Sequence, residues 1–274
     1  MKQENGLHSL PIATFWRIRQ PAVLSSRQTI ITAPPPRRIR FAAFTLVELL
    51  VVTLVVSMLI MLMLPTLMAA KERGKLVVSL NNTRQILLAA HLYAADFNDS
   101  LPYHGGGCPP FYKSSWCFAY DNASATYEPE RGQVYPYLAR SAVFHCPADR
   151  TNNMEFDQRV LKFTTYIWET TSSGGFGQLP WGRGPYNGGN GLKLSLFRAD
   201  GILQFEPSES APREWNDGAD DYWEDETLHH NQGGVVGCYG GSAQWMQFSA
   251  WKLEQNTFPS RINCNPNAPD GKGQ

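Results

Sequence analysis

An unbroken apolar run at residues 46–64 constrains this chain more than any other feature. The run reads LVELLVVTLVVSMLIMLML, and Glu48 is its only charged residue. Extended to residue 68, it would form a helix about 34 Å long at roughly 1.5 Å per residue, which spans a hydrocarbon core of about 30 Å. A helix of a soluble domain keeps a polar face, and this run shows none. The run therefore predicts a membrane-spanning helix and not the core helix of a soluble protein.

The charges before the run predict its orientation. Basic residues dominate the first 43 positions, where only Glu4 opposes them: Lys2, Arg17, Arg19, Arg27, Arg37, Arg38 and Arg40. Because basic residues mark the cytoplasmic side of a membrane span, we expect a cytoplasmic N-terminus and an exported C-terminal part. A cleaved secretory signal fits poorly, since its apolar region would be too long and Met68 stands where a small residue is needed before Ala69 and Ala70.

Composition excludes some classes of function. The 274 residues carry 24 basic and 24 acidic side chains, so no net field favours nucleic acid. All five cysteines follow the apolar run, where export would allow disulfides: Cys108, Cys117, Cys146, Cys238 and Cys264. An odd number leaves at least one thiol unpaired or paired between chains. There is no CxxC pair, P-loop, GxSxG or HExxH motif, and we expect no enzymatic activity.

The sequence at the N-terminal edge of the run is its most specific motif. Residues 43–48 read Ala-Phe-Thr-Leu-Val-Glu. They resemble the cleavage site of type IV prepilins and type II secretion pseudopilins, in which a small residue, usually Gly, precedes Phe-Thr-Leu-x-Glu. The resemblance implies cleavage between Ala43 and Phe44 by a prepilin peptidase and methylation of the new amine of Phe44. Pro65, the twenty-second residue counted from Phe44, stands where these pilins carry a helix-kinking proline.

Two departures accompany this resemblance, and Glu48 gains a role from it. The residue before the cut is Ala43 instead of Gly, and the leader of 43 residues is long for the family.

A carboxylate beside lipid, such as that of Glu48, is unfavourable unless it is paired. In assembled pilins the glutamate of one subunit faces the N-terminal amine of its neighbour, so the resemblance implies that Glu48 guides assembly. A carboxylate that reaches the membrane interface without a partner is the alternative.

The composition and the resemblance together divide the whole chain into four segments. We expect a basic leader at 1–43 that is removed, a transmembrane helix at 44–70, a stalk helix at 71–99 and a globular head at 100–274. Helical spacing predicts one stalk face made of Leu76, Leu80, Thr83, Leu87, His91 and Ala94. Asn81, Asn82, Arg84 and Gln85 are predicted to lie largely off that face.

The predicted head is small, antiparallel and rich in loops. Strand-like pieces occur at 163–168, 202–206, 234–238 and 243–248, and Gly- and Pro-rich loops separate them. The predicted fold class is therefore α+β, and the resemblance to pilins implies a pilin-like arrangement with a long N-terminal helix followed by this head.

Two further motifs extend the resemblance into the head. Residues 82–102 and the sequence Phe-His-Cys-Pro-Ala-Asp at 144–149 resemble a group of prepilin-like proteins abundant in planctomycete-type bacteria. That group commonly ends in a hairpin with a His, nine residues and Asp-Gly. Here His230 is followed by nine residues and Gly240-Gly241, so the aspartate is replaced. Gly-Gly supports a tight turn equally well, and we expect the hairpin to form.

Two stretches of the sequence carry residue types that bind metal ions. Adjacent strand residues point to opposite faces, so His229 and His230 cannot both chelate one ion with Cys238, and we assign them turn and packing roles. The acidic stretch with Asp217, Asp220 and Asp221 offers oxygen ligands of the kind that calcium prefers. A solvated acidic loop is the alternative there, and we expect no other cofactor.

The resemblance to type IV prepilins and pseudopilins thus implies a structural subunit of a secretion or pilus-like filament. Its partners would be the prepilin peptidase, other pilin or pseudopilin subunits and an inner-membrane assembly platform, with no nucleic acid. It would cross the inner membrane once and hold its head in the periplasm or outside the cell. The alternative is a membrane-anchored binding module, for example for polysaccharide, that uses the prepilin pathway only for display.

Overall fold

The computed structural model describes residues 44–105, 114–138, 140–170, 191–207, 215, 218–220, 229–257, 260–262 and 264. Compactness divides the chain into the units Met1–Thr53 and Leu54–Gln274. The α-helices are α1 (Leu46–Asp96), α2 (Met154–Gln158) and α3 (Phe248–Gln255). The strands are β1 (Ala119–Asp121), β2 (Thr126–Glu128), β3 (Ile167–Glu169), β4 (Ile202–Phe205), β5 (Ala219–Asp220), β6 (Gly233–Cys238) and β7 (Ala243–Gln247). Single 3₁₀ turns occur at Pro129–Arg131, Tyr135–Tyr137, Ser141–Phe144 and Leu194–Leu196.

Helix α1 is continuous over 51 residues and passes through Pro65 without ending. Between Phe44 and Met68 every large apolar side chain is exposed, from 46% at Val56 to 79% at Leu46. Burial begins further along the helix and follows helical spacing, at Ser79, Asn82, Thr83, Ile86, Leu87, Ala89, Ala90, Tyr93 and Ala94. α1 therefore has an exposed apolar part, residues 44–68, and a packed part, residues 79–94, which belongs to the core of the head.

The buried face of α1 differs from the predicted one at Asn82. Thr83, Leu87 and Ala94 are buried, as the helical spacing predicts. Asn82 was predicted to lie off this face, and that prediction is wrong. Its side chain is buried because its amide donates a hydrogen bond of 2.8 Å to the carbonyl oxygen of His145, which satisfies both polar groups.

A five-stranded sheet forms the centre of the head, in the order β5-β3-β4-β6-β7. All neighbouring pairs are antiparallel except β3 and β5, which are parallel. The predicted strands at 202–206, 234–238 and 243–248 are confirmed to within a residue, and β6 and β7 form the predicted hairpin. Gly241 has a φ of 85° in its turn, which a glycine adopts without strain.

The packed part of α1 lies close against β6 at Gly237. A Cβ atom placed on Gly237 would lie 2.8 Å from Cγ2 of Thr83 and 3.0 Å from Cδ1 of Leu87. The missing side chain thus permits helix and sheet to approach closely. Trp116 and Trp168 stack with ring centroids 4.8 Å apart in the same core, where both side chains are fully buried. Large aromatic side chains of this kind supply much of the apolar area that a small, loop-rich head can bury.

Candidate functional site

The start of α1 is closed by a reciprocal contact between Thr45 and Glu48. Oε2 of Glu48 accepts hydrogen bonds of 2.8 Å from both the backbone N–H and the hydroxyl of Thr45. Oγ1 of Thr45 accepts in turn from the N–H of Glu48 at 3.2 Å. This is a capping box, in which side chains satisfy backbone groups that the first helical turn leaves without partners. Glu48 therefore has a local role in the single chain, which its spacing from Thr45 could have predicted.

The remaining N-terminal site residues surround this cap. Phe44 is 69% exposed at the start of the described chain, and Ala43 lies outside the described residues. Pro65 lies inside α1 and within its exposed apolar part. Within the described part of the chain, α1 is the one helix long and apolar enough to cross a membrane. Length and composition thus permit a single membrane anchor.

The predicted calcium ligands are only partly described. Asp220 belongs to β5, where it pairs in parallel with Glu169. Its side chain lies outside the described residues, as do Asp217 and Asp221. The calcium site therefore stays a prediction.

A different group of ligand-type side chains is buried at one place in the head. Cys146, Glu206 and His230 bring one sulfur, one carboxylate oxygen and one ring nitrogen within 4.8 Å of one another. Nε2 of His230 lies 3.2 Å from Sγ of Cys146 and 3.6 Å from Oε1 of Glu206. Each of the three residues is at most 4% exposed. We refer to these three residues as the Cys-Glu-His cluster.

The local structure explains why these three side chains meet. Cys146 follows the 3₁₀ turn Ser141–Phe144, and a turn closes after it through a hydrogen bond from the N–H of Asp149 to its carbonyl oxygen. Glu206 directly follows β4, and His230 precedes β6, which is the strand next to β4. Because β4 and β6 are antiparallel, the end of one strand lies beside the beginning of the other.

Polar groups around the Cys-Glu-His cluster hold its side chains in place. Oε1 of Glu206 accepts a hydrogen bond of 2.8 Å from Ser79 of α1, and Oε2 accepts one of 3.1 Å from the N–H of Val235. Sγ of Cys146 accepts from the N–H of Ala148 at 3.3 Å. Nδ1 of His230 is buried without a hydrogen-bond partner among the described residues. The contacts that orient this imidazole are thus those of its Nε2 side.

The surroundings shift the acidity of these groups in opposite directions. Burial raises the pKa of the Cys146 thiol, and the nearby carboxylate of Glu206 raises it further. Burial alone would also raise the pKa of Glu206, but its interaction with the imidazole of His230, whose Nε2 lies 3.6 Å from Oε1, brings that pKa below the usual value. The described structure thus favours a neutral thiol beside an ionised carboxylate.

The cluster does not have the arrangement of a Cys-His-acid catalytic triad. In such a triad the acid contacts the ring nitrogen that faces away from the nucleophile. Here Cys146 and Glu206 both face Nε2 of His230. The cluster is instead a set of converging sulfur, oxygen and nitrogen ligands.

Sequence reasoning singled out two members of the cluster without joining them. Cys146 belongs to the motif at 144–149 and His230 to the motif before the hairpin, but they are 84 residues apart in the chain. The prediction considered Cys238 as the sulfur partner of His230, whereas the structure brings Cys146 to it. Glu206 carries no motif, and only its position directly after a predicted strand could have drawn attention to it.

The last residue of the motif at 144–149 has a separate structural role. Asp149 forms two hydrogen bonds, of 2.8 and 3.0 Å, with the guanidinium of Arg159. Both side chains are fully buried, and Thr165 donates a further hydrogen bond to Asp149. The guanidinium also lies 3.6 Å from the ring centroid of Trp215. The motif thus places one end of a buried ion pair as well as the sulfur of the cluster.

The chain was compared with known protein families, curated proteins and solved structures. A scan against protein-family models found no match, and neither a search of curated proteins nor one of solved structures found a similar chain.

Proposed function

We propose that this chain is a pilin-like subunit of a secretion or pilus-like filament. It is anchored in the inner membrane by α1, cleaved between Ala43 and Phe44 by a prepilin peptidase, and assembled through the exposed part of α1. The observation that carries the proposal is α1 itself, in which one continuous helix has an exposed apolar part and a part packed in the head. Soluble monomers rarely expose contiguous apolar patches above a few hundred Å². Lipid, or the same helix of neighbouring subunits, would therefore cover residues 44–68.

Glu48 is the residue through which one subunit would recognise the next. In the single chain it caps α1, and one of its oxygens, Oε2, makes the contacts with Thr45. After cleavage, the amine of Phe44 in a neighbouring subunit would be a cation that pairs with this carboxylate. A charge near the end of a membrane span is retained at a cost unless such a partner exists.

The first test is the N-terminal residue of the mature protein. Intact-mass and peptide-mass measurements on chain purified from native membranes should show a first residue of N-methyl-Phe44. Replacement of Ala43 by Lys should block cleavage and leave a longer chain in the membrane. A native chain that keeps its first 43 residues would contradict the proposal.

A second test separates the two roles of Glu48. Glu48→Gln keeps a capping box but removes the charge, whereas Thr45→Val removes the hydroxyl of the cap and keeps the charge. We expect Glu48→Gln and Glu48→Ala to abolish filaments recovered by shearing, and Thr45→Val to keep them. Membrane fractionation and limited proteolysis should show an anchored, folded head in all three variants. The opposite pattern, with filaments in Glu48→Gln and none in Thr45→Val, would contradict the assembly role and mean that Glu48 acts only as a helix cap.

A further inference from the structure

The Cys-Glu-His cluster has a chemistry that the proposed filament role leaves unused. It combines a soft sulfur ligand, an imidazole nitrogen and a carboxylate oxygen, all buried and drawn from three distant parts of the sequence. We propose that Cys146, Glu206 and His230 bind one divalent cation of the zinc class, which fastens the head around the packed part of α1.

The distances fit a tetrahedral zinc ion. With bonds of about 2.0 Å to nitrogen or oxygen and about 2.3 Å to sulfur, two ligand atoms of such a site lie roughly 3.3–3.6 Å apart. Nε2 of His230 lies 3.2 Å from Sγ of Cys146 and 3.6 Å from Oε1 of Glu206. Displacements of a few tenths of an ångström would bring these two pairs of atoms to the separations that the ion requires, and the third pair, Sγ of Cys146 and the carboxylate oxygen of Glu206, lies within 4.8 Å.

Hydrogen bonds support two of the three proposed ligands, Glu206 and Cys146, whereas Nδ1 of His230 has no hydrogen-bond partner among the described residues. The N–H of Val235 holds Oε2 of Glu206, which leaves Oε1 directed at His230. The N–H of Ala148 donates to Sγ of Cys146, a contact that stabilises a thiolate once a cation is bound. Such outer contacts orient ligands and tune their affinity in metal sites.

The ligand types select the class of ion. Calcium and magnesium take oxygen ligands, whereas thiolate combined with imidazole is typical of zinc and related transition metals. A thiolate, a carboxylate and a neutral imidazole around a divalent cation carry no net charge, which suits a buried site. The fourth ligand would be a water or the hydroxyl of Ser79, whose Oγ lies 2.8 Å from Oε1 of Glu206.

A groove beside the cluster gives the ion a route from solvent. It has a volume of about 590 Å³ and is lined by Glu72, Arg73 and Leu76 of α1 together with His230 and Trp245. Because Ser79 of α1 contacts Glu206 directly, an ion in the cluster would tie α1 to the sheet. Its role would therefore be structural, and it is independent of cleavage at Ala43 and of filament assembly.

Metal analysis of the full chain in mild detergent tests the proposal. The chain is purified without a polyhistidine tag, stripped with a chelator and titrated with zinc alone or cobalt alone. We expect about one zinc per chain, a thiolate-to-cobalt charge-transfer absorption, and a rise in the thermal midpoint of the head by about 5–10 °C on zinc binding.

Four variants locate the ion. Cys146→Ser and Glu206→Gln should weaken zinc binding at least about tenfold, and Cys146→Ser should also lose the charge-transfer absorption. The matched controls are Cys238→Ser, a buried thiol outside the cluster, and His91→Gln, whose Nε2 contacts the carbonyl oxygen of Tyr239. Both controls should bind zinc like the parent chain.

Three results would overturn the proposal. One is a folded parent chain that binds no zinc at equimolar concentration. Another is unchanged zinc binding in both cluster variants, which would place the ion elsewhere. If Cys146→Ser does not fold, as judged by near-UV circular dichroism, the parent cobalt spectrum decides, because the lack of a thiolate absorption there excludes Cys146 as a ligand.

Discussion

Replacement of Asp149 by Asn tests the buried ion pair that the motif at 144–149 creates. The carboxylate of Asp149 faces the guanidinium of Arg159 through hydrogen bonds of 2.8 and 3.0 Å, and neither side chain is exposed. Asparagine has almost the same shape as aspartate, so the change removes charge without leaving a cavity. Arg159 would then be a buried cation that faces neutral groups, the new amide oxygen and the ring of Trp215.

The expected loss of stability is large for a substitution that preserves volume. Removing one partner of a buried ion pair costs about 3–5 kcal/mol, because the other charge stays buried without compensation. The contact with Trp215 recovers part of this, since a cation over an aromatic face contributes about 0.5–2 kcal/mol, but it is already present in the parent chain. We therefore expect Asp149→Asn to lower the free energy of unfolding of the head by about 3 kcal/mol or more.

Urea titration of the full chain in detergent, followed by tryptophan fluorescence, measures this loss. The matched control is Glu128→Gln, which removes the same charge from the exposed pair with Arg131 and should cost less than about 1 kcal/mol. Equal and small losses in Asp149→Asn and Glu128→Gln would refute the argument, because they would mean that Arg159 finds water or another anion in the folded chain.

Three further predictions concern the head and its contact with α1. Gly237→Ala should destabilise the head by about 1–3 kcal/mol, because its Cβ would lie 2.8 Å from Cγ2 of Thr83 and force α1 away from β6. Gly74→Ala should instead stabilise α1 by up to about 1 kcal/mol, since nothing lies within 4 Å of its Cβ and alanine favours helix. Burial lowers the pKa of His104 from 6.5 to about 3, so below pH 6.5 the unfolded chain binds a proton that the folded chain does not. Stability should therefore fall by about 2 kcal/mol between pH 7 and pH 5, and His104→Gln should remove this part of the slope in urea titrations at the two values.

The parts of the fold that the sequence predicted are those set by local pattern. The apolar run predicts α1 because uniform apolar composition needs no tertiary information. The strands at 202–206, 234–238 and 243–248 are bounded by Gly- and Pro-rich loops, and β4, β6 and β7 confirm them. The predicted strand at 163–168 begins too early, since β3 starts at Ile167. Thr164 instead donates a local hydrogen bond to the carbonyl oxygen of Tyr166, and Thr165 donates to the carboxylate of Asp149.

The candidate site could not be predicted in the same way, because it depends on which strands are neighbours. Local pattern identified Cys146 and His230. Their side chains meet only because β4 lies beside β6 and the turn after Phe144 reaches the place where β4 ends and β6 begins. The prediction that Asn82 lies off the buried face of α1 was wrong for a related reason. Its polarity placed it outside the predicted face of α1, and only the carbonyl oxygen of His145 makes its burial favourable.

The hydrogen bonds of α1 determine which part of the helix must stay packed against the sheet and which part can change its packing partners. Ser79 is fully buried and donates to Glu206, and Asn82 donates to the carbonyl oxygen of His145. Separating α1 from the sheet would leave these acceptors without their partners, at about 1–3 kcal/mol each, in addition to exposing apolar core. Residues 44–68 are exposed throughout. If the chain is the filament subunit proposed above, its movement from bilayer to filament would replace lipid by neighbouring helices along 44–68, while the packed part of α1 stays in the head.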